Sequence, residues 1–116
     1  FGISMVIMSP DCPDPGAPKV LRASMGAAFR VPMAVADPYL AVEFLKSQNI
    51  RVCAAALNEN SKPIHAVNLA NSAVVIGNEG AGLPASLIAR CDESVVIPIT
   101  PGCESLNAAM AATIFC

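Results

Sequence analysis

The sequence is poor in the residue types that metal centres and nucleic-acid clamps depend on. Its 116 residues include no tryptophan, one tyrosine and a single histidine, His65; 14% are charged, and the net charge is −2. One histidine excludes a histidine-based metal cluster. A slightly acidic chain does not bind nucleic acid through bulk charge. We therefore expect no metal, and any contact with nucleic acid must come from a local group of basic residues.

The chain also lacks a long apolar run, a signal peptide and a paired-cysteine motif. Its longest charge-free stretch, residues 63–78, is interrupted by His65 and by asparagines, whereas a membrane-spanning helix needs roughly 18 or more apolar residues. The five cysteines are scattered without a Cys-x-x-Cys pair, which favours reduced thiols. These absences predict a cytoplasmic protein with no membrane segment.

What the sequence does have is apolar residues in short runs. Its hydrophobic fraction is 54%, which excludes intrinsic disorder. Strand-like runs alternate with helical segments, and this alternation predicts an α/β fold with a parallel sheet and helices on both faces. The predicted strands cover residues 3–8, 31–35, 51–57, 73–76 and 94–99, and the predicted helices cover 19–29, 37–48, 83–90 and 104–116.

A glycine-rich loop follows the fourth predicted strand. Residues 77–82 read Gly-Asn-Glu-Gly-Ala-Gly, and the next predicted helix begins directly after them. Glycines at such a place let the backbone approach a ligand closely. Residues 80–85 also match the loose dinucleotide pattern Gly-x-Gly-x-x-Ala. A nicotinamide-dependent oxidoreductase therefore stays open as an alternative, as does a tight turn in a non-catalytic interaction module.

A second polar loop follows the fifth predicted strand. The strand ends in Ile97-Pro98-Ile99, and the last helix is entered through Ser105-Leu106-Asn107. Serine and asparagine commonly cap helices, and that role alone explains their presence. However, the two loops follow neighbouring strands at the carboxyl edge of the predicted sheet, where α/β proteins bind ligands.

Together these loops resemble the second and third signature motifs of the SpoU/TrmH-type RNA 2′-O-ribose methyltransferases of the SPOUT superfamily. The resemblance rests on residues 74–83, on residues 97–107 with the alanine-rich helix after them, and on the helix that begins at Lys19. It covers nearly the whole chain. It implies a domain with a deep C-terminal trefoil knot that transfers a methyl group from S-adenosylmethionine to a ribose 2′-hydroxyl of rRNA or tRNA.

The same resemblance assigns roles to individual residues. It places Glu79, Ser105 and Asn107 at the polar catalytic positions, and it implies RNA as substrate and a homodimer whose interface includes the last helix. The expected cofactor contacts are Gly77, Asn78, Gly80, Ile97 and Leu106. Independently of the resemblance, the basic residues Lys19, Arg22 and Arg30 lie close together in the sequence and are the expected RNA-binding site, with plain solvated surface as the alternative.

One element of the family pattern is not found in the sequence. The first signature motif supplies an arginine that activates the ribose, and it would precede Phe1; the last helix is also shorter than in the family. We therefore expect residues 1–116 to be a methyltransferase domain without its first motif and without the end of its last helix. By itself such a piece would be inactive.

Overall fold

The computed structural model describes residues 2–100 and 106–116, and the chain divides into two compact units, Phe1–Ala41 and Val42–Cys116. Among the described residues, the named strands pair only in parallel, which confirms the α/β class. The strands form two sheets, one of two strands and one of four. The placement of helices on both faces, and the knot, stay predictions. Within the described ranges, no helix is long and apolar enough to cross a membrane.

The first unit contains the smaller sheet. Strand β1 (Val6–Met8) pairs in parallel with β2 (Met33–Val35), and helix α1 (Pro18–Ala23) lies between them in the chain. The predicted helix over residues 19–29 is shorter than expected, because Met25 and Gly26 both take positive φ angles, 50° and 81°. A short 3-10 helix, Ala27–Phe29, follows this break.

Helix α2 spans Pro38–Ser47 and begins as the sequence predicts. One carboxylate oxygen of Asp37 accepts the backbone N–H groups of Tyr39 at 2.9 Å and Leu40 at 3.1 Å. Such a cap satisfies two of the four N–H groups that a helix leaves unpaired at its start. The helix ends before Asn49, which takes a left-handed φ of 59°.

The second unit is built on the four-stranded sheet, whose spatial order is β4-β6-β3-β5. Strand β3 therefore lies between β6 and β5, and the carboxyl ends of all three strands meet at one edge. The strands are β3 (Arg51–Ala55), β4 (Lys62–Pro63), β5 (Ser72–Val75) and β6 (Glu93–Val96). A 3-10 helix, Ile64–Ala66, and helices α3 (Ala85–Ile88) and α4 (Ala108–Phe115) complete the unit.

The core of the second unit centres on Cys53, Val95 and Phe115, one each from β3, β6 and α4. Val52 and Ala54 are also fully buried, as expected for a strand with neighbours on both sides. Burial, with a smaller contribution from Glu93, raises the pKa of the Cys53 thiol to about 11. This thiol therefore stays protonated and serves as a small apolar side chain.

Candidate active site at the carboxyl edge of the second unit

The glycine loop is folded back on itself directly after β5. The backbone N–H of Gly82 donates to the Asn78 carbonyl at 2.8 Å, and these two residues form an isolated antiparallel bridge. The side-chain oxygen of Asn78 also accepts from the N–H groups of Gly80 at 2.8 Å and Ala81 at 3.2 Å. Asn78 therefore shapes this loop from within.

Gly77 is the position where the loop tolerates no side chain. A Cβ atom there would lie 2.4 Å from the carbonyl carbon of Gly82 and 2.7 Å from the backbone nitrogen of Leu83. Gly82 has a φ of 66°, a left-handed conformation that favours glycine. Gly80, by contrast, has space for a Cβ, which would meet only the Asn78 side-chain oxygen at 3.5 Å.

Glu79 connects this loop to the start of α4. Its Oε1 accepts a hydrogen bond from the Asn107 side-chain nitrogen at 2.6 Å and another from the backbone N–H of Ala108 at 3.0 Å. Asn107 in turn caps the helix, because its side-chain oxygen accepts from the N–H groups of Ala109 at 3.0 Å and Met110 at 3.3 Å. A carboxylate at a helix N-terminus is electrostatically favourable. Two residues 28 positions apart thus share one hydrogen-bonded network.

The apolar positions of the expected site lie beside this network in the chain. Ile97 follows β6, is half-buried and packs against the core cluster, whereas Leu106 is 36% exposed and directly precedes the cap residue Asn107. Ser105, the third expected catalytic residue, lies outside the described residues. Sequence reasoning missed the bond between Glu79 and the Ala108 N–H, since no local pattern relates a loop carboxylate to a distant helix start.

The expected RNA-binding residues are in the first unit. Lys19 and Arg22 belong to α1, Arg30 follows the 3-10 helix, and all three are exposed. None of the three pairs with a carboxylate among the residues that the structure describes. Three residues apart on one helix, Lys19 and Arg22 project from the same face.

The geometry does not fit the dinucleotide alternative. That pattern places its first glycine at the end of a strand and opens a helix long enough to bind the pyrophosphate at its N-terminus. Here β5 ends at Val75, five residues before Gly80, and α3 has only four residues.

In the described part of the chain, no three histidine, cysteine, aspartate or glutamate side chains come together as a metal site.

Comparison with known proteins identifies the family of the chain. The family model described as "SpoU rRNA Methylase family" matches residues 1–116. The 23S rRNA (guanosine(2553)-2′-O)-methyltransferase RlmP of Bacillus subtilis is 32% identical over 97% of this chain, and the 23S rRNA (guanosine-2′-O-)-methyltransferase RlmB of Coxiella burnetii is 31% identical over 98%. In each case the match covers 46% of the relative, so the chain spans about half the length of these enzymes.

Solved structures show the same relationship. The AdoMet-bound rRNA methyltransferase of Sinorhizobium meliloti superposes with a TM-score of 0.81 at 31% identity, over 97% of this chain and 43% of that one. The motifs that carry the resemblance are those that the structure joins through Glu79 and Asn107. On the family model and these relatives together, the chain belongs to the SpoU rRNA methylase family.

Proposed function

We propose that this chain is the catalytic-domain part of an enzyme that transfers a methyl group from S-adenosylmethionine to a ribose 2′-hydroxyl of RNA. The observation that carries the proposal is the hydrogen-bonded network of Glu79, Asn107 and the Ala108 N–H, which joins the glycine loop to the start of α4. The names of the two curated relatives support rRNA over tRNA as the substrate. We also propose a homodimer located in the cytoplasm.

The residues at the carboxyl edge fit S-adenosylmethionine chemically. A sulfonium group is cationic, and neither residues 76–83 nor the described residues 97–100 and 106–107 include a lysine or arginine. Gly77 and Gly82 allow close approach of the backbone, and Ile97 and Leu106 offer apolar surface to the adenosine. When bound, S-adenosylmethionine supplies an activated methyl group with its own leaving group, so no metal is required.

The chain's own residues contribute mainly by positioning. Glu79 holds Asn107 and the first turn of α4 against the glycine loop, and Asn78 holds the loop closed on itself. Fixing two reactants in line provides a large part of the rate of such transfers. Deprotonation of the 2′-hydroxyl also needs a base or a positive group. In the family that group is the arginine of the first motif.

Ligand-induced stabilisation tests the cofactor assignment. S-adenosylhomocysteine should raise the melting temperature, because a ligand present at 100 times its Kd stabilises the folded state by about 2.7 kcal/mol. NAD and NADP should leave the melting temperature unchanged, since α3 is too short for a pyrophosphate site. A shift with NAD and none with S-adenosylhomocysteine would contradict the proposal.

Substitutions of Glu79 test its role in the full-length protein. Glu79→Ala removes the acceptor for Asn107 and Ala108, and we expect methyl transfer to 23S rRNA to fall by about 100-fold, as misplacement of reactants does. Glu79→Gln keeps an acceptor oxygen and should retain most of the activity. Glu59, an exposed carboxylate in the loop after β3, gives the matched control Glu59→Ala. Loss of activity in the Gln variant as large as in the Ala variant would mean that Glu79 acts through its charge.

A further inference from the structure

The first unit contains a continuous segment whose only charged residues are basic. Residues 15–36 include Lys19, Arg22 and Arg30 and no acidic residue, although the chain as a whole is acidic. All three side chains are exposed and, among the described residues, unpaired with any carboxylate. Such a local group of cations suits a polyanion, because each neutralised phosphate releases condensed counterions.

An exposed aromatic ring lies inside this basic segment. Phe29 is 78% exposed, the most exposed of the described phenylalanines, in a chain with only five aromatic residues. Leaving a phenylalanine in water forgoes roughly 1.5–3 kcal/mol of burial free energy. Arg30 is its direct neighbour in the chain and is also exposed.

The backbone fixes where this ring stands relative to α1. Met25 and Gly26, at φ 50° and 81°, turn the chain, and the Met25 N–H donates to the Arg22 carbonyl at 3.2 Å. The N–H of Phe29 donates to the carbonyl of Gly26 at 3.2 Å, which closes the 3-10 turn. A left-handed conformation is uncommon for methionine, and the Met25 side chain is 89% exposed. The turn therefore places Phe29 just beyond the basic end of α1 without burying it.

We infer that Phe29 stacks on an unpaired base of single-stranded RNA while Lys19, Arg22 and Arg30 bind the flanking phosphates. Proteins that bind single strands combine a basic surface with aromatic rings, and a base inside a duplex is not available for stacking. The inference rests on the proposed RNA substrate and narrows it to unpaired nucleotides. Three exposed cations without carboxylate partners suit a polyanion better than a protein partner. RNA is therefore the binding partner that the charges favour.

Binding of short fluorescent oligoribonucleotides to the full-length protein, without S-adenosylmethionine, tests this inference. Phe29→Leu should weaken binding of a mixed-sequence single strand by about 5- to 100-fold, as loss of one base–aromatic stack does. Phe29→Tyr should retain wild-type affinity. Phe44→Leu is the matched control, since Phe44 is 63% exposed on α2, outside the basic segment. Arg30→Gln should lower the slope of log affinity against log salt concentration by about one, because one phosphate contact is lost.

An abasic oligonucleotide of the same length separates stacking from a structural effect. Phe29→Leu and the wild type should bind it equally, because only phosphates remain to be bound. An unchanged affinity of Phe29→Leu for the single strand would overturn the inference, as would an equal loss on the abasic strand or a change of sedimentation without a change of RNA binding. These outcomes do not depend on the S-adenosylhomocysteine shift, so a failure of this inference is distinguishable from a failure of the proposed function.

Discussion

At the scale of single residues, the glycines of the candidate site differ in how much space the fold leaves for a side chain. Gly77 is packed against the backbone of Gly82 and Leu83, which has no flexible end that could move away. A Cβ added at Gly80 would lie at an ordinary van der Waals distance from one side-chain atom, the Asn78 oxygen. The sequence motif contains both glycines and gives no reason to distinguish them; only the fold of the loop does.

This difference predicts opposite results for two alanine substitutions. Gly77→Ala should lower the free energy of unfolding by about 1–3 kcal/mol, because a methyl group forced against backbone displaces the loop, and it should abolish the stabilisation by S-adenosylhomocysteine. Gly80→Ala should change stability by about 0.5 kcal/mol or less and keep ligand binding. Urea unfolding with and without ligand measures both effects. Equal tolerance of the two substitutions would show that Gly77 does not hold the loop as the structure indicates.

At the scale of elements, local chemistry was enough to place most helix starts and strand centres. The Asp37-Pro38 start of α2 was predicted, because capping depends on residues within one turn. The last helix was predicted over residues 104–116, whereas α4 begins at Ala108 after the Asn107 cap. Strand β4 was missed, since Lys62–Pro63 is two residues long, contains proline and lies in a polar stretch. Its pairing with β6 is a tertiary contact that no local pattern records.

The same limit applies to the candidate site. The roles of Glu79 and Asn107 came from family resemblance, whereas their bond across 28 residues is a consequence of the strand order in the four-stranded sheet. Strands β5 and β6 are not the neighbours that the sequence predicted, because β3 lies between them. Both pair in parallel with β3, so the loops after β5 and β6 still leave the sheet at the same edge. Periodicity predicted every described strand except β4, and the alternation with helices predicted their parallel class, but neither could give the strand order.

Asp92 is the clearest case of one side chain that connects several elements. Its Oδ2 accepts the backbone N–H of buried Val52 at 2.8 Å, and its Oδ1 pairs with Lys46 of α2 at 2.9 Å. The hydrogen bond from Val52, followed by the one from Lys46, lowers the pKa of the Asp92 carboxyl. The charged form is therefore the form that the folded state favours.

Removal of Asp92 should destabilise the protein in a pH-dependent way. Asp92→Ala leaves the Val52 N–H without this acceptor, and we expect a loss of about 1–3 kcal/mol at pH 7. Because the folded pKa lies below the unfolded one, which is about 3.9, this contribution is complete above pH 5 and disappears as the pH falls through the folded pKa. Urea unfolding at pH 7 and pH 3 measures the difference.

Glu43→Ala is the matched control for this test, since Glu43 forms an exposed ion pair with Arg90. Such surface pairs contribute about 1 kcal/mol or less. If Asp92→Ala costs no more than Glu43→Ala at pH 7, or if its effect is the same at pH 3, the carboxylate does not connect β3 and α2 in the way described.

At the scale of the whole molecule, the many apolar side chains have to be shielded from water. One face of helix α4 is shielded by the core. Phe115 is buried there, and Ala108, Ala111 and Ala112 on the same side are half-buried. On another side of the helix, Met110 is 58% and Ile114 is 45% exposed, four residues apart. Core packing thus accounts for one face of α4 and leaves a second apolar face exposed.

A homodimer through this second face is the last prediction. We expect the full-length protein to sediment as a dimer at tens of micromolar, and Ile114→Lys to shift it towards monomer, because a charge buried in an apolar interface is costly. Leu57→Lys is the control, since Leu57 is 84% exposed and lies in the loop after β3. Far-UV circular dichroism should show both variants folded. A wild-type monomer at these concentrations, or equal dissociation in both variants, would assign the exposed face of α4 to solvent or to another part of the protein.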